Sequence, residues 1–320
     1  MERQLEIDEK DVVEEDTIDQ EVCTILHFTD VYNLEERLCE PVGGFKRFCT
    51  QVLSHKDKDP ILLFSGDALS PSLESMRTHG EHMVTALNNL GVHCAVLGNH
   101  EFDFGVENLA RLVEMSNFPW LLSNITDGST GLPLAGAKPH HVLEVGGLRI
   151  GVVGLVQDWL YQQQATRHVE YVYKDYVEVG RHLAQDLKKG GCNVVVALTH
   201  MKWEDDKRLA ESVAEIDLVL GGHDHQYGVQ VVRGKTIVKS GTEFRHLSVI
   251  TLGLKDGKVS SEVEREDITA QVEKKRDVEL GFDDGKLGYV WMVPLYLWWA
   301  VKYHGYKRYA KVRRALRGQN

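Results

Sequence analysis

At five separate places in this chain, a short apolar run ends on a residue able to bind a metal. Asp30 follows residues 23–28, and Asp67 follows residues 61–65 within Ser65-Gly66-Asp67. Asn99 and His100 follow residues 93–97, within Gly98-Asn99-His100-Glu101-Phe102-Asp103. His200 follows residues 193–198, and His223-Asp224-His225 follows residues 217–220. Any one of these residues alone reads as an ordinary turn or cap residue. Their recurrence is harder to assign to packing, because sites in parallel sheets gather at the carboxyl ends of the strands.

The texture between these points supports such a sheet. Apolar runs at 23–29, 61–65, 93–97, 148–155, 193–198 and 217–220 read as buried strands. Amphipathic stretches at 43–54, 80–89, 106–115 and 175–189 read as helices between them. Strands alternating with helices predict an α/β fold with parallel strands and crossover helices. Beyond residue 228, the segments 229–232, 235–239, 247–254 and 258–264 read as a run of antiparallel strands. Lys255-Asp256-Gly257-Lys258 supplies a hairpin turn that suits positive φ. A charged helix is predicted over 265–279.

The net charge of −11 is unevenly spread. Residues 1–22 hold ten acidic and two basic residues, which predicts a disordered acidic tail over 1–21. Residues 286–320 hold eight basic residues and no acidic ones, and follow or overlap an aromatic, apolar run at 289–303. That run is shorter than a bilayer span and contains Pro294, so the expectation is weak contact with a membrane surface. The acidic body argues against a nucleic-acid partner. Five cysteines without CxxC spacing, and an N-terminus without an apolar stretch, lead us to expect a cytoplasmic protein.

The set Asp30-Val31-Tyr32, Gly66-Asp67, Gly98-Asn99-His100-Glu101, His200 and Gly222-His223-Asp224-His225 resembles the calcineurin-like metallophosphoesterases. More narrowly, Leu26-His27-Phe28-Thr29-Asp30 and Asn99-His100-Glu101-Phe102-Asp103-Phe104-Gly105 resemble the 5′-nucleotidase branch. The resemblance covers about residues 23–265, so a catalytic domain is expected over 22–265, with a helix and an aromatic, basic tail over 266–320. It implies a four-layer αββα sandwich and a metal-dependent phosphatase acting on a small phosphorylated substrate, such as a nucleoside monophosphate or a sugar phosphate.

It also implies two divalent ions, for which mixed oxygen and nitrogen ligands suit Zn, Mn or Fe. Asp67 would bridge them, Asp30 and His225 would hold the first, and Asn99, His200 and His223 the second. His100 and Asp103 resemble the family's catalytic dyad. Glu101 is expected to be solvated or to cap, with a place behind the ligands as the alternative, Asp224 to point away, and His27 to be a plain strand residue. The chain departs from the family in two respects. Tyr32 stands where the family commonly has histidine, which makes it an additional candidate ligand. Residues 279–320 do not resemble the branch's second, nucleoside-binding domain. The same centre would also suit a phosphodiesterase, and a scaffold without catalysis is the reading from a different class.

Overall fold

The computed structural model describes residues 21–275, apart from Gln163 and Arg167. The acidic stretch over 1–20 and the aromatic and basic stretch beyond 275, with its expected membrane contact, lie outside the described residues. In chain order the elements are β1 (Glu21–Phe28), α1 (Phe45–Ser54), β2 (Ile61–Phe64), α2 (Ser75–Thr78), α3 (Glu81–Leu90), β3 (Cys94–Val96), α4 (Val106–Met115), β4 (Trp120–Leu121), β5 (Ile125–Asp127), β6 (His140–Val145), β7 (Leu148–Val156), β8 (Tyr171–Tyr173), α5 (Tyr176–Lys189), β9 (Val194–His200), α6 (Trp203–Ser212), β10 (Leu218–Gly221), β11 (Tyr227–Val232), β12 (Lys235–Ser240), β13 (His246–Lys255) and β14 (Lys258–Asp267).

Two six-stranded sheets result, ordered β14-β13-β1-β2-β3-β4 and β11-β12-β10-β9-β7-β6, with β5 and β8 forming a small ribbon. Strands β1 to β4 run parallel, as do β7, β9, β10 and β12. Antiparallel strands close the edges of the second sheet and one edge of the first.

Alternation along β9 shows how the layers stack. Val194, Val196 and Leu198 join the core that holds Ile25, Leu26 and Phe64 of the first sheet. Val195 and Ala197 face the opposite way and pack with Tyr176, Ala184 and Leu187 of α5 and Leu209 of α6. Successive strand residues point to opposite faces, so a strand buried on both reads as a continuous apolar run. Phe45 and Phe48 of α1, Met83 and Leu87 of α3, and Leu109 of α4 pack with the first sheet. The result is the four-layer αββα sandwich.

Two expectations are corrected. The strands after residue 228 are not one antiparallel run. β11 and β12 join the second sheet, where β12 lies parallel to β10, while β13 and β14 join the first. The charged helix over 265–279 is not formed within the described residues. β14 continues to Asp267, because its charges alternate along a sheet edge that needs only one covered face. Residues 268–275 then run without helix across α1, where Arg47 donates to the carbonyls of Ala270 and Val272 and Lys275 N donates to Lys46 O.

Candidate metal centre

The carboxyl ends of β1, β2 and β3 from one sheet and of β9 and β10 from the other meet at one edge of the sandwich, and the candidate residues of the sequence gather there. Asp30, Asp67 and His200 are buried, each with a ligand atom within 4.8 Å of the others. His225 Nε2 lies 3.3 Å from Asp30 Oδ1. His223 Nδ1 lies 3.1 Å from Asn99 Oδ1, and its ring centroid is 5.3 Å from that of His200. His100 joins through its backbone N–H, which donates to Asp67 Oδ1 at 2.9 Å. The His225 side chain is 50% exposed and opens the cluster to solvent.

The backbone here is held in a conformation that side chains rarely adopt. Asp30, Asp67, His223 and His225 all have positive φ, at 55°, 63°, 82° and 58°. Left-handed residues cost about 1–2 kcal/mol each and recur where function requires them. Surrounding bonds enforce the shape. Asp30 N donates to Gly66 O, Val31 N to Asp67 O, and Glu243 N to Asp30 O. Gly66 has a φ of +81°, and a Cβ there would lie 2.7 Å from Gly98 N, so glycine lets the loops after β2 and β3 touch.

The proton positions follow from the partners. His200 Nδ1 is 2.7 Å from Ser65 O. A carbonyl only accepts, so Nδ1–H donates and Nε2 is turned toward Asp67. Nε2 is buried with no aligned hydrogen-bond partner, although Asp67 Oδ2 is 3.1 Å away. Among the described residues, no lysine or arginine pairs with Asp30 or Asp67. A buried nitrogen and two buried carboxylates converging in this way are a donor set that a divalent cation fits.

Burial lowers the His200 imidazole, but Asp67 outweighs it and raises the pKa to about 10. Burial pushes Asp67 up, and His200 and His100 more than offset this, holding it well below the usual carboxylate range. Burial, aided by His200, takes His223 down to about 4. His100 Nδ1 is 2.8 Å from Asp103 Oδ2. Burial lowers His100 as well, but Asp67 and Asp103 raise it to about 9, so the ring is cationic at neutral pH.

Tyr32 reaches into the cluster. Its hydroxyl lies 3.2 Å from Asp30 Oδ1, 3.1 Å from Asp67 Oδ2 and 2.8 Å from His225 Nε2. Of the two roles expected for Glu101, the structure shows capping and not solvation, for the side chain is buried. Its carboxylate accepts from the N–H groups of Gly98 (2.5 Å), Asp67 (2.9 Å), Ala68 (2.7 Å) and Leu69 (3.3 Å), which joins the Asp67 loop to the Asn99 turn. Removing the acceptor strands several buried donors at about 1–3 kcal/mol each. Glu101→Ala should therefore lower unfolding free energy by about 3 kcal/mol or more in guanidinium titration. A loss below about 1 kcal/mol would mean that the loops do not depend on it.

Asp224 stands outside the Asp30, Asp67 and His200 cluster, as expected, and its carboxylate binds the buried Lys239. His27 is more than a plain strand residue, since its ring bridges Ser65 and Ser240 between the sheets at 2.8 and 2.6 Å. The signal for Lys239 was a lone charge inside the apolar run Ile237-Val238-Lys239-Ser240. For Glu101 it was an acid wedged between His100 and Phe102.

A sandwich with these residues at its edge defines a phosphoesterase-type metal site. Residues 23–227 match the calcineurin-like phosphoesterases, and the chain belongs to that family. Among curated proteins it is 31% identical over 223 residues to a 5′-nucleotidase of Diplobatis ommata, covering 64% of this chain and 37% of that protein. It is 29% identical over 197 residues to an NAD 5′-nucleotidase of Haemophilus influenzae, covering 60% of this chain and 32% of that one. The chain thus spans about a third of the length of these relatives. A calcineurin-like phosphoesterase from Bacillus subtilis superposes with a TM-score of 0.69 at 20% identity, covering 80% and 93% of the two chains. The Haemophilus influenzae NAD nucleotidase gives 0.67 at 21% identity, covering 77% and 55%. These likenesses show the shared fold.

Proposed function

We propose that this chain hydrolyses phosphate monoesters as a 5′-nucleotidase-like enzyme with two divalent ions, Zn, Mn or Fe. The observation that carries this reading is the convergence of Asp30, Asp67 and His200 from both sheets, beside the His100–Asp103 pair. Asp30, Asp67 and His225, with Tyr32 beside them, would hold one ion; Asp67, Asn99, His200 and His223 would hold the other. When bound, the ions neutralise phosphate oxygens and make water nucleophilic at neutral pH.

The chain's own groups do the rest. Asp103 accepts a hydrogen bond from His100 Nδ1–H and fixes the ring, which leaves the Nε2 proton free for the leaving oxygen. The nucleotide assignment draws on the names of the relatives. A phosphate-release panel tests it, comparing a nucleoside 5′-monophosphate, a sugar phosphate and bis(p-nitrophenyl) phosphate after chelation and after return of Mn²⁺. We expect the nucleotide to lead, with activity lost on chelation and regained with metal. Faster cleavage of the diester would transfer the assignment to a phosphodiesterase, and no hydrolysis of any of the three substrates with Mn²⁺ returned would sink it.

Tyr32 gives a second test of the ligand set. A neutral imidazole offers a lone pair that a neutral phenol does not, and burial raises the Tyr32 hydroxyl well above its ordinary value. Tyr32→His should tighten one of two Mn²⁺ affinities in calorimetric titration. If both stay unchanged, Tyr32 lies outside the ligand shell.

A further inference from the structure

Lys239, the fifth residue of β12, is 1% exposed, and its ammonium is surrounded by groups from the two loops that carry the histidines. Nζ lies 2.5 Å from Met201 O, one residue past His200. It lies 2.8 Å from Gly222 O, one residue before His223, and 2.5 Å from Asp224 Oδ2, between His223 and His225. These three acceptors use all three ammonium protons. Asp206 Oδ2, buried on α6, stands 3.0 Å away as a fourth neighbour, and the Trp203 ring centroid is 5.2 Å away. The space is made for this arrangement. A Cβ on Gly221, the residue paired with Lys239 in the parallel register, would lie 3.1 Å from Lys239 Cε and 2.7 Å from Asp206 Oδ2.

We propose that Lys239 is a positioning residue, a buried three-point tie that sets the loop after β9 against the loop after β10 and so places His200, His223 and His225 for metal. This rests on the metal reading above. Lys239 is too buried to meet a substrate, so its effect passes through the histidines. Three hydrogen bonds from one ammonium fix two loop carbonyls and the Asp224 side chain relative to one strand. Without them, the segment carrying left-handed His223 and His225 loses its ties at Gly222 O and Asp224 Oδ2.

The test is Mn²⁺ titration of the full chain after metal removal, comparing wild type, Lys239→Met, Asp224→Asn and Ile237→Ala, with each variant's Tm measured. Ile237 is buried on the same strand and shares its apolar cluster with Met201, but its side chain donates to neither loop, so its variant reports lost packing without a lost hydrogen bond. We expect Lys239→Met to weaken Mn²⁺ at least tenfold and Asp224→Asn to weaken it measurably, with Ile237→Ala binding as wild type despite a lower Tm. Lys239→Met affinity within twofold of wild type would overturn the proposal, as would an equal loss in Ile237→Ala. If Lys239→Met does not fold, Asp224→Asn decides, and wild-type affinity there overturns it. Absence of Mn²⁺ binding by the wild-type protein is a different result, which overturns the metal reading itself and this inference with it.

Discussion

Phosphate release by Asp67→Asn is expected to fall at least a thousandfold, about 4 kcal/mol of barrier. The substitution is nearly isosteric, and an amide oxygen can still accept from His100 N–H, which now bonds Asp67 Oδ1 at 2.9 Å. What disappears is the negative charge beside His200 Nε2 and the Tyr32 hydroxyl. A residue that serves two ions, as proposed for Asp67, cannot be replaced by a neutral amide without weakening both. Mn²⁺ titration should show the loss alongside the rate, while Tm stays near the wild-type value. Retention of more than about a tenth of the activity, roughly 1.4 kcal/mol, would remove Asp67 from that role.

His100→Ala should separate chemistry from metal binding. Its side chain makes the pair with Asp103 and carries the proton proposed to act at Nε2, and its backbone N–H makes the bond to Asp67. Alanine keeps the second and deletes the first. We expect kcat to fall by about 10²–10⁴, the usual worth of a positioned acid or base, with metal content unchanged. Plasma emission on the purified variant measures the second half. Depletion of metal in His100→Ala would make this histidine a ligand instead.

The strands that carry the site were legible because both of their faces are buried. A run such as Val194-Val195-Val196-Ala197-Leu198 has no polar face to confuse it, and the residue that ends it stands out. α6 escaped notice for the opposite reason. Its first turn holds Glu204, Asp205 and Asp206, which suit a helix N-terminus but mask the buried stripe of Asp206, Leu209 and Ala210. The half-exposed edge strand β6 was missed on similar grounds. The residues that face the cluster follow a chain order that can be read from the sequence. Glu101 and Lys239 act from behind it, and their burial depends on loops brought together from distant parts of the chain, which no local pattern encodes.

β1 has a central seat that matters while the protein is being made. It lies between β2 and β13, with Ile25 opposite Ile61 on one side and Ile250 on the other. The first side is available early, but the second arrives only after more than 200 further residues have left the ribosome. At roughly 5–20 residues per second, that edge stays open for on the order of tens of seconds. An open, apolar edge is a template for pairing with another chain. Asp30 sits at the end of the same strand and is held by Glu243 N–H, so the nascent chain carries its sticky edge and its unfinished site together. β13 closes that edge when it pairs with β1, and Glu243, just before β13, brings its N–H to Asp30 O.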